Sequence, residues 1–130
     1  PVQQDEPGAL PIAAQEQEQE QELLQCIEHI LSWAEGSMLS EVWSVRKAAL
    51  QLVGVISSRR RVLSPDSVRQ VLRVLGAGVE ERKYSKIRVE ALKSLALLLK
   101  SEAAQGVVGR DEGMKEQVRD MIRKCSADAQ

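Results

Sequence analysis

Apolar residues recur at helical spacing along most of the chain, in segments separated by turn residues. From Glu22 to Glu35, Leu23, Ile27, Ile30, Leu31 and Ala34 share one face, which predicts a helix that Gly36 ends. Ser40 is placed as the N-cap of a second helix, Glu41 to about Ser57, with Val42, Val45, Ala49, Leu52, Val53 and Ile56 as its apolar set. Ser64-Pro65-Asp66 supplies a cap, a proline at the first helical position and an acid in the first turn, so a third helix is expected from there to about Leu75. Gly76 and Gly78 are read as its end. A fourth helix is expected over about Tyr84 to Ser101, a looser Gly-containing segment from Glu102 to Gly113, and a fifth helix from about Met114 to Cys125.

These helices repeat. The first, third and fifth carry apolar residues at offsets 0, 3, 4 and 7: Ile27, Ile30, Leu31 and Ala34, then Val68, Val71, Leu72 and Leu75, then Val118, Met121, Ile122 and Cys125. The second and fourth share a longer pattern, written once from Val45 to Ile56 and again from Ile87 to Leu98. The order is therefore A-B-A-B-A, two and a half repeats of helical hairpins over residues 22–58, 64–101 and 112–126.

Val45-Arg46-x-x-Ala49-x-x-x-Val53-Gly54-x-Ile56 and Ile87-Arg88-x-x-Ala91-x-x-x-Leu95-Ala96-x-Leu98 resemble the second helix of HEAT repeats. The A helices lack the family's proline and the intra-repeat turn lacks its Asp, which leaves HEAT and armadillo-like variants both open. The resemblance implies an all-α, right-handed solenoid of about five helices. It also implies a non-enzymatic scaffold or adaptor that binds protein through the groove lined by its B helices, as in proteasome, chaperone or transport adaptors. With Pro1 first and a third repeat half written, a terminal piece of a longer protein is expected, its ends covered by further repeats of the same chain.

Packing reasons are expected at the repeated positions. Ala49 and Ala91, then Gly54 and Ala96 one turn later, are small enough for close helix crossings. Arg46 and Arg88 can reach the preceding turn or the neighbouring repeat and donate to carbonyls or acids there. Trp33 and Trp43, unique to the first repeat, are read as covers for its outward end or as an interface anchor.

Composition supports a helical core of aliphatic residues: of 130 residues 43% are hydrophobic, with no Phe, two Trp and one Tyr. Charge is segregated. Residues 1–22 hold Asp5, Glu6, Glu16, Glu18, Glu20 and Glu22 without Lys or Arg, so the formal net charge of -1 conceals an acidic tail on a basic body. Residues 1–21 are read as a disordered acidic, Gln-rich tail able to extend the first helix, residues 22–126 as the repeat domain and 127–130 as a short tail. No apolar run is long enough to span a bilayer and the N-terminus lacks a signal-peptide pattern, so a cytoplasmic or nuclear location is expected.

Cys26 and Cys125 have no partners at metal or redox spacing and are expected as buried thiols, and His29 has no catalytic companion. No cofactor motif is present. Candidate partner-binding residues are Arg46, Arg88, Lys86 and Lys93 on the B helices, Arg59, Arg60 and Arg61 in the loop, and Trp43, with Arg69, Arg73, Arg82 and Lys83 extending the basic surface. An acidic protein segment is the expected partner. The alternative is a nucleic acid on the surface around Arg59 to Arg61, weakened by the lack of aromatic residues among the basic ones in sequence.

Overall fold

A computed structural model describes residues 11–59 and 63–128, and all of their regular structure is α-helical. The elements are α1 (Ile12–Ser37), α2 (Trp43–Arg59), α3 (Pro65–Val79), α4 (Ser85–Lys100), α5 (Glu102–Gly109) and α6 (Glu112–Asp128). Helices α1, α3 and α6 lie side by side, and α2 and α4 form a second layer across them. Six helices replace the expected five because Glu102 to Gly109, read as loose, is helical. Ser101 caps it, its hydroxyl accepting from Ala104 N at 3.3 Å, and Ala104 and Val108 provide a buried anchor.

Helix α3 is the centre. Its start follows the sequence signals: Ser64 Oγ accepts from Ser67 N at 3.1 Å ahead of Pro65 and Asp66. Val68, Val71, Leu72, Val74, Leu75 and Val79 are all buried because neighbours cover both of its sides. Gly76 and Gly78 do not end this helix; they lie within it. At Gly78 an added Cβ would stand 2.9 Å from Ala91 Cβ and 2.9 Å from a Leu50 methyl, so the glycine permits the close approach of α2, α3 and α4. The second helix likewise begins later than expected, at Trp43, and Ser40 closes the turn before it by accepting from Val42 N at 3.1 Å.

Helices α2 and α4 run parallel and in register. Trp43 meets Tyr84 near their starts, and further along Ser94 Oγ donates to Leu50 O at 2.6 Å, where Gly54 makes room. Ala49 and Ala91 are fully buried as expected. Ala96 is exposed, unlike its counterpart Gly54, and Leu92 is 37% exposed where its counterpart Leu50 is wholly buried. Among the described residues no further B-type helix covers that side of α4.

Helix α1 departs most from expectation. It starts at Ile12, taking in much of the Gln/Glu run, and buries only Ile27, Leu31 and Ala34. Cys26 is exposed and Cys125 half-buried, against the expectation of two buried thiols, because α1 is an edge helix and α6 packs on one side only. Ile122 of α6 is 45% exposed for the same reason.

The A layer is joined across its surface by ion pairs: Glu35 with Arg73 at 2.9 Å, Arg69 with Asp111 at 3.6 Å, and Lys124 with Glu80. The hydrogen bond from Arg73, helped by one from Gln70, holds the Glu35 carboxyl below its usual range. Such exposed pairs contribute at most about 1 kcal/mol each. They set orientation more than stability.

Candidate functional site

Arg46 and Arg88 converge on the turn before α4. Arg46 Nη1 donates to Ser40 O in its own preceding turn, and its Nη2 lies 3.1 Å from Glu81 Oε2 in the next hairpin. Arg88 Nη1 donates to Glu81 O at 2.8 Å. Glu81 Oε1 accepts in addition from Lys83 N at 3.1 Å and Tyr84 N at 3.4 Å. Glu81 is thus the hub that shapes the turn and ties one hairpin to the next. With side-chain exposures of 11% and 17%, Arg46 and Glu81 are a largely desolvated pair, and Arg46 Nε is buried without a hydrogen-bond partner. The repeated arginines therefore play the structural part their recurrence suggests.

Above this hub lies an aromatic and basic patch. The Trp43 and Tyr84 rings are 6.1 Å apart and tilted by 31°. The Arg46 guanidinium is 5.7 Å from the Tyr84 centroid, Lys83 Nζ is 5.3 Å from it, and Lys86 Nζ is 5.8 Å from the Trp43 centroid. These are cation–π distances, worth about 0.5–1 kcal/mol at exposed sites. Trp43, Lys83, Tyr84, Ser85 and Lys86 line a depression of about 300 Å³. It adjoins, through Ser85 and Lys86, a smaller groove along the B layer of about 170 Å³ lined by Lys47, Ser85, Lys86, Val89, Glu90 and Lys93. Lys47, Lys83, Lys86 and Lys93 form no ion pair with a described residue.

Of the expected partner-binding residues, the structure brings Trp43, Lys86 and Lys93 together on this face and turns Arg46 and Arg88 inward beneath it. Arg59 is exposed in the last turn of α2, at the far end of that helix from Trp43, and Arg60 and Arg61 lie outside the described residues. Arg69 and Arg73 belong to the A layer, engaged with Asp66, Asp111 and Glu35, and do not extend this surface. Aromatic residues do stand among the basic ones: Tyr84 already lies between Lys83 and Lys86 in sequence, which the linear reading overlooked, and the register of α2 on α4 adds Trp43 beside them. Lys47 was missed altogether. Trp33, 52% exposed on α1, is apart from this cluster.

Among the described residues no group of His, Cys, Asp and Glu is arranged to hold a metal ion, and no helix is long and apolar enough to cross a membrane. Compared with known protein families, curated proteins and solved structures, the chain matches none. What the fold and the face define is a class: a two-layered helical protein with an open basic and aromatic strip along one layer.

Proposed function

We propose that the chain is a non-enzymatic interaction scaffold or adaptor, a HEAT-like solenoid of helical hairpins that binds an acidic segment of a protein partner along α2 and α4. In this reading α1/α2 and α3/α4 are full repeats, α6 is the A helix of a third, and α5 is an insertion before it. The observation that carries the reading is the strip itself. Four lysines without carboxylate partners among the described residues flank the half-buried Trp43 and Tyr84 on two parallel helices clamped in register by Arg46, Glu81 and Ser94. Preorganised aromatic anchors ringed by like charge suit an acidic polypeptide with interspersed apolar side chains.

The test is a titration with fluorescein-labelled polyglutamate, followed by anisotropy and by Trp43 emission in a Trp33→Phe background. Binding should fall at least tenfold when Lys86→Glu and Lys93→Glu are combined. Unchanged binding would remove the strip from consideration.

A second reading is single-stranded nucleic acid, favoured by Trp43 and Tyr84 standing within the basic cluster, where bases could stack. An oligo-uridine titration separates the two. Nucleic-acid binding should weaken along a log–log salt slope that tracks the phosphates neutralised.

A further inference from the structure

Ser85 stands where the two depressions of the α2/α4 strip adjoin. It lines both, with Lys83 and Lys86 around it in the larger and Lys47 and Lys93 along the smaller. The residue is exposed, and its hydroxyl bonds to none of the described residues.

The sequence leading to it is Arg82-Lys83-Tyr84-Ser85. Basic residues at the third and second positions before a hydroxyl are what a basophilic protein kinase recognises, pairing them with carboxylates of its peptide groove. The chain has no Thr, and only Ser64, Ser85 and Ser126 follow an Arg by three residues. Ser64 is already engaged, its Oγ accepting from Ser67 N at 3.1 Å and donating to Ser67 Oγ at 2.9 Å. Ser126 shares the spelling, in Arg123-Lys124-Cys125-Ser126, but lies within the last turns of α6. There Arg123 is paired with Glu116, and Lys124 with Glu80 and Asp120.

Ser85 is placed differently. Arg82 to Tyr84 lie outside any helix and Ser85 is the first residue of α4. A kinase can therefore take the segment in extended form by opening one helical turn and the bonds from Lys83 N and Tyr84 N to Glu81 Oε1. The first turn of a helix also tolerates a phosphate, whereas the C-terminal end, where Ser126 sits, opposes one.

We infer that Ser85 is a phosphorylation site for a basophilic kinase, and that its phosphate closes the strip to acidic partners. The inference rests on the strip being an acidic-segment site and names its regulation. In the transfer, Ser85 Oγ attacks the γ-phosphorus of ATP held by the kinase. The Oγ–P bond forms as the bond from that phosphorus to ADP breaks, the hydroxyl proton passes to a base on the kinase, and ADP leaves. The new group carries about -1.5 to -2 charges at pH 7. Four lysines against Glu90 give the strip a formal charge of +3, so the phosphate cancels half of it or more. Its oxygens also take up the ammonium donors that a partner's carboxylates would use.

The whole chain, incubated with ATP and the catalytic subunit of cyclic-AMP-dependent kinase as the basophilic enzyme, tests this. Peptide mass spectrometry should find phosphate on Ser85 sooner than on Ser126. Affinity for fluorescein-labelled polyglutamate should fall at least tenfold and return after phosphatase treatment, with helix content by circular dichroism the same throughout. In Ser85→Ala, the kinase treatment should leave the variant's own affinity where it stood before.

A Ser85 that takes up no phosphate, or takes it up more slowly than Ser126, overturns the inference. So does loss of helix on phosphorylation, or a tenfold fall in affinity on treating Ser85→Ala. Polyglutamate binding that phosphate on Ser85 does not change defeats this inference alone and leaves the scaffold reading standing; an untreated chain that does not bind polyglutamate removes both.

Discussion

The closest approach of α2 and α4 predicts that Gly54→Ala destabilises the protein although it improves helix propensity. In an open helical position, Gly to Ala gains about 1 kcal/mol. At Gly54 the new Cβ would stand 2.6 Å from Ser94 Oγ, 3.0 Å from Ser94 Cβ and 3.1 Å from Ser94 Cα. The hydroxyl can rotate away only by giving up its 2.6 Å bond to Leu50 O, a loss of about 1 kcal/mol. The Cβ and Cα cannot retreat unless α4 moves, and overpacking of that kind costs about 1–3 kcal/mol. Net of the propensity gain, the variant should lose roughly 1–3 kcal/mol, which in a domain of this size lowers Tm by about 4–12 °C. Gly76→Ala is the matched control, because nothing lies within 4 Å of its Cβ, and it should gain about 1 kcal/mol. Thermal melts by circular dichroism read both. If Gly54→Ala melts at or above Gly76→Ala, the close crossing is not as described. Adding Ser94→Ala to Gly54→Ala should recover part of the loss and no more, since the backbone contact stays.

Three further outcomes follow from the same geometry. Arg46→Met and Glu81→Gln should each cost about 1–3 kcal/mol, and their double-mutant cycle in urea should show coupling of at least about 1 kcal/mol; additive losses would mean the pair is not a clamp. Glu35 is held low chiefly by the hydrogen bond from Arg73, so its contribution is present above the unfolded carboxylate's titration and is lost as pH falls through the lowered folded value. Arg73→Gln should move the Glu35 titration, followed by NMR, back upward; no movement would refute that assignment. Ser64→Ala removes the α3 cap and should cost about 1 kcal/mol in chemical denaturation, against a near-neutral Ser58→Ala on the exposed side of α2.

Much of the helical layout was legible because α3 and α4 obey local rules: a Ser-Pro-Asp start, period-3.6 stripes, and small residues where helices cross. What was misread depends on neighbours. A glycine ends a helix when its φ turns positive and permits close packing when another helix arrives, and the chain around Gly78 looks the same in both cases. Ser94, polar in an apolar stripe, is explained only by the Leu50 carbonyl it reaches. Cys26 was placed inside because it lies beside the apolar side of the helical pattern, yet burial on α1 needs a second helix on that side, and none is described there.

The basic and aromatic strip was less legible than the fold, although the clue to it was already in the repeated sequence. A spacing of 42 residues between Val45 and Ile87 is also a distance rule: when equivalent helices stack in parallel, residue i lies beside residues near i+42. Trp43 then falls beside Tyr84 and Lys86, and Leu50 and Gly54 beside Ser94, which are the contacts observed. Applied to the arginines, the rule pairs Arg46 with Arg88, and Glu81 in the turn before α4 serves both, Arg46 through its carboxylate and Arg88 through its main-chain carbonyl. The partners of the strip divide by the same logic. Residues that recur, such as Arg46 and Arg88, are consumed in joining one hairpin to the next. Those that do not recur, Trp43 opposite Ser85 and Tyr84 opposite Val42, are left on the surface with lysines around them. Where two helices of like sequence stack in parallel, as α2 and α4 do, the departures from periodicity are to be read in the stacked register and not along the chain.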